Sequence, residues 1–383
     1  MKKVLYIVSG VASSKEYEHL VAHWDRSRAT LGFLLLNPQV DTPLARHLLA
    51  AGIPCRTIVH RGRKDLFRTF LEILREIGRQ RPDVVHANLL EASFLGTLAA
   101  RIRRVPAVIH TRHHSTHNFK YHPFRGVLYD KIIDRLSHRI IAISSGVVRV
   151  LVDMEHVPAR KVVLIHHGFP LDGPRQVSAA AEKARAGYFP SEPVPYPIIA
   201  MVARPFAWKG LDHAIPAFGS IRERWPDARL LLFNWTSTPH SARYERMLSE
   251  LPEGVHRTVA FDADLADHFQ WFDLFIHVPE DDLAEAFGLV YAEGMIAGTP
   301  CVFTRSGLIN DLNMDRSAGT RIVPHKNARA IADAALELLQ GPLAPSMRAG
   351  NARRNIDLLR PVIGMEEKMR RLFRLYESGP PWT

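Results

Sequence analysis

Cysteine is nearly absent from this chain: Cys55 and Cys301 are the only two in 383 residues. They lie in segments that read as different domains, which excludes a disulfide framework and points to a reducing, cytoplasmic compartment. Long apolar runs are missing too. No stretch approaches the ~18 residues that a membrane-crossing helix needs. The apolar start, MKKVLYIVSG, is short and runs into SSKEYEH without a cleavage-site pattern, so it reads as a first β-strand rather than a leader. There is no Gly-rich Walker loop or dinucleotide fingerprint, and no basic-aromatic module of the kind that reads nucleic acid. Nucleic-acid binding is therefore not expected, despite a net charge of +11. His110, His113, His114 and His117 lie close together, but no cysteine or carboxylate is interleaved with them. No metal site and no cofactor is expected from that cluster.

The composition that remains, 46% hydrophobic and 23% charged, is that of a soluble globular protein. The length suits two domains better than one core. Charge is distributed unevenly between them. Residues 1–170 hold 26 Lys and Arg against 13 Asp and Glu, whereas residues 171–383 hold 24 against 26. Such asymmetry predicts that the first half meets an anionic surface.

Apolar runs alternate with helix-period segments along the whole chain. Strands are predicted at Lys3–Val8 and Ala29–Leu36, then helices at Pro43–Ala51 and Asp65–Arg79. Arg81–Asn88, an Ala-rich helix to Arg104, and Val105–Ser115 repeat strand, helix, strand. Ile140–Ser144 and Val162–Ile165 continue the series, which ends at His166-His167-Gly168-Phe169. That succession predicts a doubly wound α/β domain over residues 1–171. Asp172–Pro195, rich in Pro, Ala and Gly, reads as a connection (172–195).

A second α/β domain is predicted over 196–355. It opens with a strand to Ala203, followed by Arg204, Lys209 and Gly210. Arg229–Phe233 and Val255–Phe261 read as strands, Leu265–Phe272 as a short helix, Arg321–Pro324 as a small strand and Ala328–Gln340 as a helix. The tail, Met347–Glu377, has helical apolar spacing throughout, and residues 356–383 are set apart as a last helix.

At the centre of the second domain lies LFIHVPEDDLAEAFGLVYAEGMIAGTPCVFT, Leu274–Thr304. It reads as strand, acidic loop, helix from Gly288, a Gly-Pro stop and a second strand, a βαβ unit of a parallel sheet. In such sheets ligands sit beyond the carboxyl ends of the strands, and the free N–H groups at the helix start, around Gly288–Val290, suit a phosphate. Glu293, eight positions after Glu285, falls about 7.5 Å into the helix at 1.5 Å per residue. A carboxylate there can accept hydrogen bonds from sugar hydroxyls near a bound phosphate.

The string Glu285-Ala-Phe287-Gly288, then Glu293-Gly-Met295, then Ala297-Gly298-Thr299-Pro300, resembles the paired-glutamate motif of retaining glycosyltransferases of family 4, which have the GT-B fold. RPDVVHA, VPAVIHTRHH, IAIS and VVLIHHG are similar to the family's segments in the same order. The resemblance implies two Rossmann-like domains facing across a cleft, with the last helix crossing back to the first. It implies a nucleotide-diphosphate sugar as donor and a glycan or lipid-linked acceptor, with no metal required. It assigns Arg204 and Lys209 to the donor diphosphate, with help from the backbone at Phe287, Gly288 and Leu289. Glu293 would hold the ribose. Glu285 would face the donor sugar, with His113, or His114 beside it, as the sugar-facing histidine of the first domain. Gly10 and His114 stand on the acceptor or phosphate side.

Three places depart from the family pattern. Ser9–Ser14 has one glycine where many members have two, His167-Gly168 replaces Asn-Gly, and Phe233-Asn234-Trp235 replaces a glycine-containing turn. Two alternatives therefore stand beside transfer: a GT-B nucleotide-sugar epimerase, and a non-catalytic glycan- or lipid-binding subunit. The first half also carries Arg61, Arg63, Lys64, Arg68, Arg75 and Arg79, and the mixed stretch Phe119–Arg125. Aromatic and basic side chains together suit a lipid–water interface, so a peripheral position on the inner face of an anionic cytoplasmic membrane is expected.

Overall fold

A computed structural model of the protein describes residues 1–173, 178–189, 194–260, 262 and 264–378. The chain forms two compact units, Met1–Pro170 with Ile363–Thr383, and Leu171–Val362. In the first, seven strands are paired in parallel: β1 Lys2–Ser9, β2 Ala29–Asn37, β3 Cys55–Val59, β4 Val84–Asn88, β5 Ala107–Arg112, β6 Arg139–Ala142 and β7 Val162–Leu164. Their order is β3-β2-β1-β4-β5-β6-β7. β1 is central, with Val4 opposite Leu31 on one side and Val84 on the other.

The strands are apolar on both faces because both faces are covered. Alternate side chains of a strand point to opposite sides. Val4, Tyr6 and Val8 therefore join one core layer with Phe33 and Leu35, while Leu5 and Ile7 join the other with Leu34 and Leu36. The first layer is closed by the helices Lys15–Ala22 and Met365–Ser378, the second by Leu66–Gln80 and Leu90–Ile102.

Among its described residues the second unit has six parallel strands: β8 Ile198–Val202, β9 Arg229–Phe233, β10 His256–Val259, β11 Leu274–His277, β12 Cys301–Phe303 and β13 Thr320–Ile322. Their order is β10-β9-β8-β11-β12-β13. Each sheet grows outward from its first strand in one direction and then in the other. The reversal falls between β1 and β4 in one unit and between β8 and β11 in the other. A crevice opens at the carboxyl ends of the strands on either side of such a reversal, and this is where doubly wound sheets bind ligands.

Several elements differ from the sequence-based expectation. The strand β3 and the helices Lys15–Ala22 and Arg125–Leu136 are additional. Within the expected connection, Ala179–Tyr188 is a helix. Its alanines carry little entropic cost in a helix, and Ser178 caps it by accepting the Ala181 N–H at 3.0 Å. Residues 174–177 and 190–193 of that connection, residues 379–383 of the expected last helix, and Phe261 at the expected end of the β10 strand lie outside the described residues.

The single helical tail is two helices, Pro345–Ile363 and Met365–Ser378. Pro361 lacks an N–H to continue the ladder, and Gly364 forms a bridge with Phe169. There the Phe169 N–H donates to the Ile363 carbonyl at 2.7 Å, and the Met365 N–H to the Phe169 carbonyl at 3.1 Å. Beyond the break Met365, Met369, Leu372, Phe373, Leu375 and Tyr376 are buried in the first unit's core. At roughly 1.5–3 kcal/mol for each large apolar side chain, the gross contribution of this helix is on the order of 10 kcal/mol before ordering entropy is counted.

Candidate active site

Three loops converge at the carboxyl ends of β8 and β11. The first follows β8 and carries Arg204 and Lys209. Gly210 ends it at φ +75°, and a Cβ there would lie 1.8 Å from the Val278 carbonyl oxygen. Only glycine lets the two loops come this close. The Glu280 N–H donates to the Trp208 carbonyl at 3.1 Å and ties the same loops together.

The second loop follows β11 and presents Glu285, which is buried. Its Oε1 forms an ion pair with the Lys209 ammonium and takes the Nε2–H of His277 at 3.0 Å. The backbone N–H of Glu285 donates to Ser306 Oγ, on the third loop, at 2.9 Å. Burial alone would push this carboxyl up. Lys209 and His277 more than offset that and hold it down to about 2, so Glu285 is a carboxylate at neutral pH. Its Oε2 takes no hydrogen bond among the described residues.

Phe287, Gly288 and Leu289 form the entry to the helix Leu289–Ala297. Phe287 is buried, and its carbonyl accepts the Leu308 N–H at 2.8 Å. Gly288 turns at φ +76° against the Tyr291 ring, which a Cβ would meet at 2.5 Å. Among the described residues no side chain caps this helix; the Tyr291 N–H turns back to the Gly288 carbonyl at 3.0 Å, and the positive end of the helix dipole suits an anion. Leu289 is exposed, and Glu293 lies half-buried farther along the helix. Arg204 is exposed, with its guanidinium 5.4 Å from the centre of the Phe206 ring. Lys209 lies 4.3 Å from the Trp208 ring. Two cations, an uncapped helix start and one buried carboxylate thus share a rim of a single unit.

In the first unit the expected residues separate. Gly10 is exposed at the end of β1. His113 follows β5 and donates from Nε2 to Asn88 Oδ1 at 3.1 Å, while its ring stacks on His167 at 5.4 Å. Burial pushes the imidazole down to about 3, so it is neutral at physiological pH. His114 turns the other way, towards Asp130 Oδ2 at 3.0 Å. That aspartate pairs at 2.6 Å with Arg112, which also pairs with Glu155. The two neighbouring histidines therefore belong to different groups.

His113 lies beside a polar network that the sequence did not reveal. Glu16 Oε1 accepts from His167 Nδ1 at 2.8 Å and from the Lys368 ammonium at 3.0 Å. Burial works against this carboxylate, but His167 and Lys368 outweigh it and hold it well below the usual range. Nothing in the spacing of residues 16, 167 and 368 announces their meeting. His277 did have a signal, being a histidine at the end of the apolar run Leu274-Phe275-Ile276. Among the described residues no group of three or more His, Cys, Asp or Glu is arranged to hold a metal ion.

Comparison with known proteins matches both halves. Residues 189–355 fit the family model described as glycosyl transferases group 1, and residues 20–172 the model described as glycosyltransferase family 4. A D-inositol 3-phosphate glycosyltransferase of Nocardia farcinica is 26% identical over 276 residues, 67% of this chain and 59% of the relative. A GDP-mannose-dependent alpha-(1-6)-phosphatidylinositol monomannoside mannosyltransferase of Mycolicibacterium smegmatis is 30% identical over 155 residues, 38% of this chain and 39% of that protein. The chain thus spans less than two thirds of the length of these relatives. Among solved structures, Anabaena HepE in complex with UDP and glucose has the same fold at a TM-score of 0.77 and 17% identity, covering 99% of this chain and 100% of that one. The two models together match most of both parallel-sheet Rossmann-like units, and the chain belongs with the glycosyltransferases of the group 1 and family 4 type.

Proposed function

We propose that this protein transfers a sugar from a nucleotide-diphosphate donor to a glycan or lipid-linked acceptor, with retention of anomeric configuration and without a divalent metal. The observation that carries the reading is the ion pair of Lys209 with Glu285 beside an uncapped helix start. As the glycosidic bond breaks, negative charge develops on the diphosphate. Arg204, Lys209 and the N–H groups at Phe287–Leu289 supply fixed positive charge there, the part a metal ion plays elsewhere. Glu285, ionised and buried, faces the positive charge that develops on the sugar, and Glu293 holds the ribose. In the first unit, His113 is the histidine that the family resemblance assigns to the sugar.

The test is incubation of purified protein with a panel of nucleotide sugars and acceptors, with and without a chelator. Release of nucleoside diphosphate together with a glycosylated acceptor, unaffected by the chelator and of retained configuration by NMR, is the expected result. An inverted product, or activity rescued only by magnesium or manganese, overturns retention or metal independence. A product that is an epimerised nucleotide sugar, with no acceptor glycosylated, overturns transfer itself.

The same reading places the enzyme at an anionic membrane surface, the inner face of the cytoplasmic membrane. No helix among the described residues is long and apolar enough to cross a membrane. The first unit instead exposes Phe67, Phe124 and Leu128, at 75%, 88% and 58%, among the exposed cations Arg61, Arg63, Lys64, Lys120 and Arg125. Part of the expected basic stripe is neutralised: Arg68 pairs with Asp65 at 3.2 Å, and Arg79 pairs with Glu76. Each cation near an anionic leaflet contributes about 1 kcal/mol. Flotation with anionic liposomes should show binding that fades as salt rises from 0.1 to 1 M, where the Debye length falls from ~10 to ~3 Å. Arg61→Glu with Lys64→Glu should weaken it, and equal binding to neutral liposomes would refute the electrostatic part.

A further inference from the structure

His277 has no place in the chemistry derived so far. It is the last residue of β11, 1% exposed, in a run whose other members are aliphatic or aromatic. Its ring is fixed on two sides, stacked 6.0 Å from Phe275 at 15° and met edge-on by Tyr291 at 4.7 Å. Among the described residues the ring has one hydrogen bond, to Glu285 Oε1 at 3.0 Å. A carboxylate oxygen can only accept, so the proton of His277 lies on Nε2. Burial disfavours the charged imidazole, and the hydrogen bond and charge of Glu285 only partly oppose that, so His277 titrates below its usual range. It is a neutral donor.

Lys209 and His277 share Oε1 of Glu285, and among the described residues Tyr291 is the other titratable side chain that faces this carboxylate. In the proposed reaction Lys209 serves a second anion, the donor diphosphate. When its ammonium turns to the phosphates, the partner that remains to Glu285 is the N–H of His277.

We infer that His277 is a positioning residue: its Nε2–H holds Glu285 Oε1, directing Oε2 at the donor sugar and keeping the carboxylate in place after Lys209 engages the diphosphate. This inference rests on the function proposed above. A hydrogen bond to a charged group is worth about 1.5–3 kcal/mol, so its loss in the complex corresponds to roughly 10- to 100-fold in kcat.

Two variants test it. His277→Phe keeps a ring between Phe275 and Tyr291 but removes the donor; His277→Gln keeps an N–H. The expected result is a kcat lowered about 10- to 100-fold for His277→Phe, a donor KM within about threefold, and recovery of most of kcat in His277→Gln. The pH profiles separate positioning from a merely structural part. The acid limb of kcat reports the complex, and that of kcat/KM the free enzyme. With Lys209 still on Glu285 in the free enzyme, His277→Phe should move the kcat limb to higher pH by more than the kcat/KM limb. Wild-type kcat and limbs in folded His277→Phe, or a His277→Gln as impaired as His277→Phe, overturn the inference. If His277→Phe does not fold, NMR of the wild-type imidazole decides: a proton on Nε2 supports it, and a proton on Nδ1 refutes it. That measurement needs no turnover, so it also separates failure of this inference from failure of the proposed function, which would show as no product from any nucleotide sugar.

Discussion

Lys209→Met should lower kcat on the order of 10²- to 10³-fold and also destabilise the second unit. The Lys209 side chain is 14% exposed, against a Glu285 side chain that is 9% exposed. Removing one member of such a pair leaves the other charged and desolvated, at a cost of about 3–5 kcal/mol. The pH dependence carries a sign. In the wild type the Glu285 carboxyl is held down to about 2, so the pair stabilises fully above the ordinary carboxylate range and is lost as pH falls towards 2. In Lys209→Met, burial is opposed by His277 alone, the carboxyl rises, and the acid limb of activity moves to higher pH. Thermal unfolding and pH–rate profiles of both proteins check the two halves. Adding Glu285→Gln to Lys209→Met should restore much of the lost stability, because no unpaired charge remains, while activity stays low. A double variant no more stable than Lys209→Met would show that the pair is not what the lysine stabilises.

Glu285→Gln by itself should lower kcat by a similar order, 10²- to 10³-fold, with donor KM changed little. Gln has the shape of Glu and no charge to set against a developing oxocarbenium, so what it loses is specific to the transition state. Glu293→Gln should behave in the opposite way, raising donor KM more than it lowers kcat, since a ribose contact is present before and during bond breaking. The contrast is read from initial rates over donor concentration. Turnover left intact in Glu285→Gln would remove this residue from the chemistry, and with it the reading of the loop after β11.

Much of the fold was legible because parallel strands and crossover helices write their burial into local composition. Val4–Val8 and Leu274–Ile276 are apolar at successive positions since both faces of their sheets are covered. The stop at Gly298-Thr299-Pro300 is read from backbone chemistry alone. The residues proposed for the donor could be named from the family resemblance for a related reason. Arg204, Lys209, Glu285, Gly288 and Glu293 lie on two loop-helix segments whose internal spacing is set by the chain itself.

What the tertiary structure decided are the meetings of residues far apart in the chain. Tyr6 reaches Tyr376 at 2.7 Å, Glu16 reaches Lys368, and Lys209 reaches Glu285 across 76 positions. Burial in company made each of these polar groups something its sequence neighbours do not specify: a neutral His113, a strongly ionised Glu16, a His277 bound to carry its proton on Nε2. The separation of His113 from His114 was of the same kind. Adjacent residues just after a strand point to opposite sides, and only the packed neighbours, Asn88 for one and Asp130 for the other, distinguish them. By itself the sequence determined the periodicity, the stops and the motif, because these depend on residues close along the chain. Protonation, orientation and partnership waited for the fold, because they depend on how completely water is excluded and on which distant charges take its place.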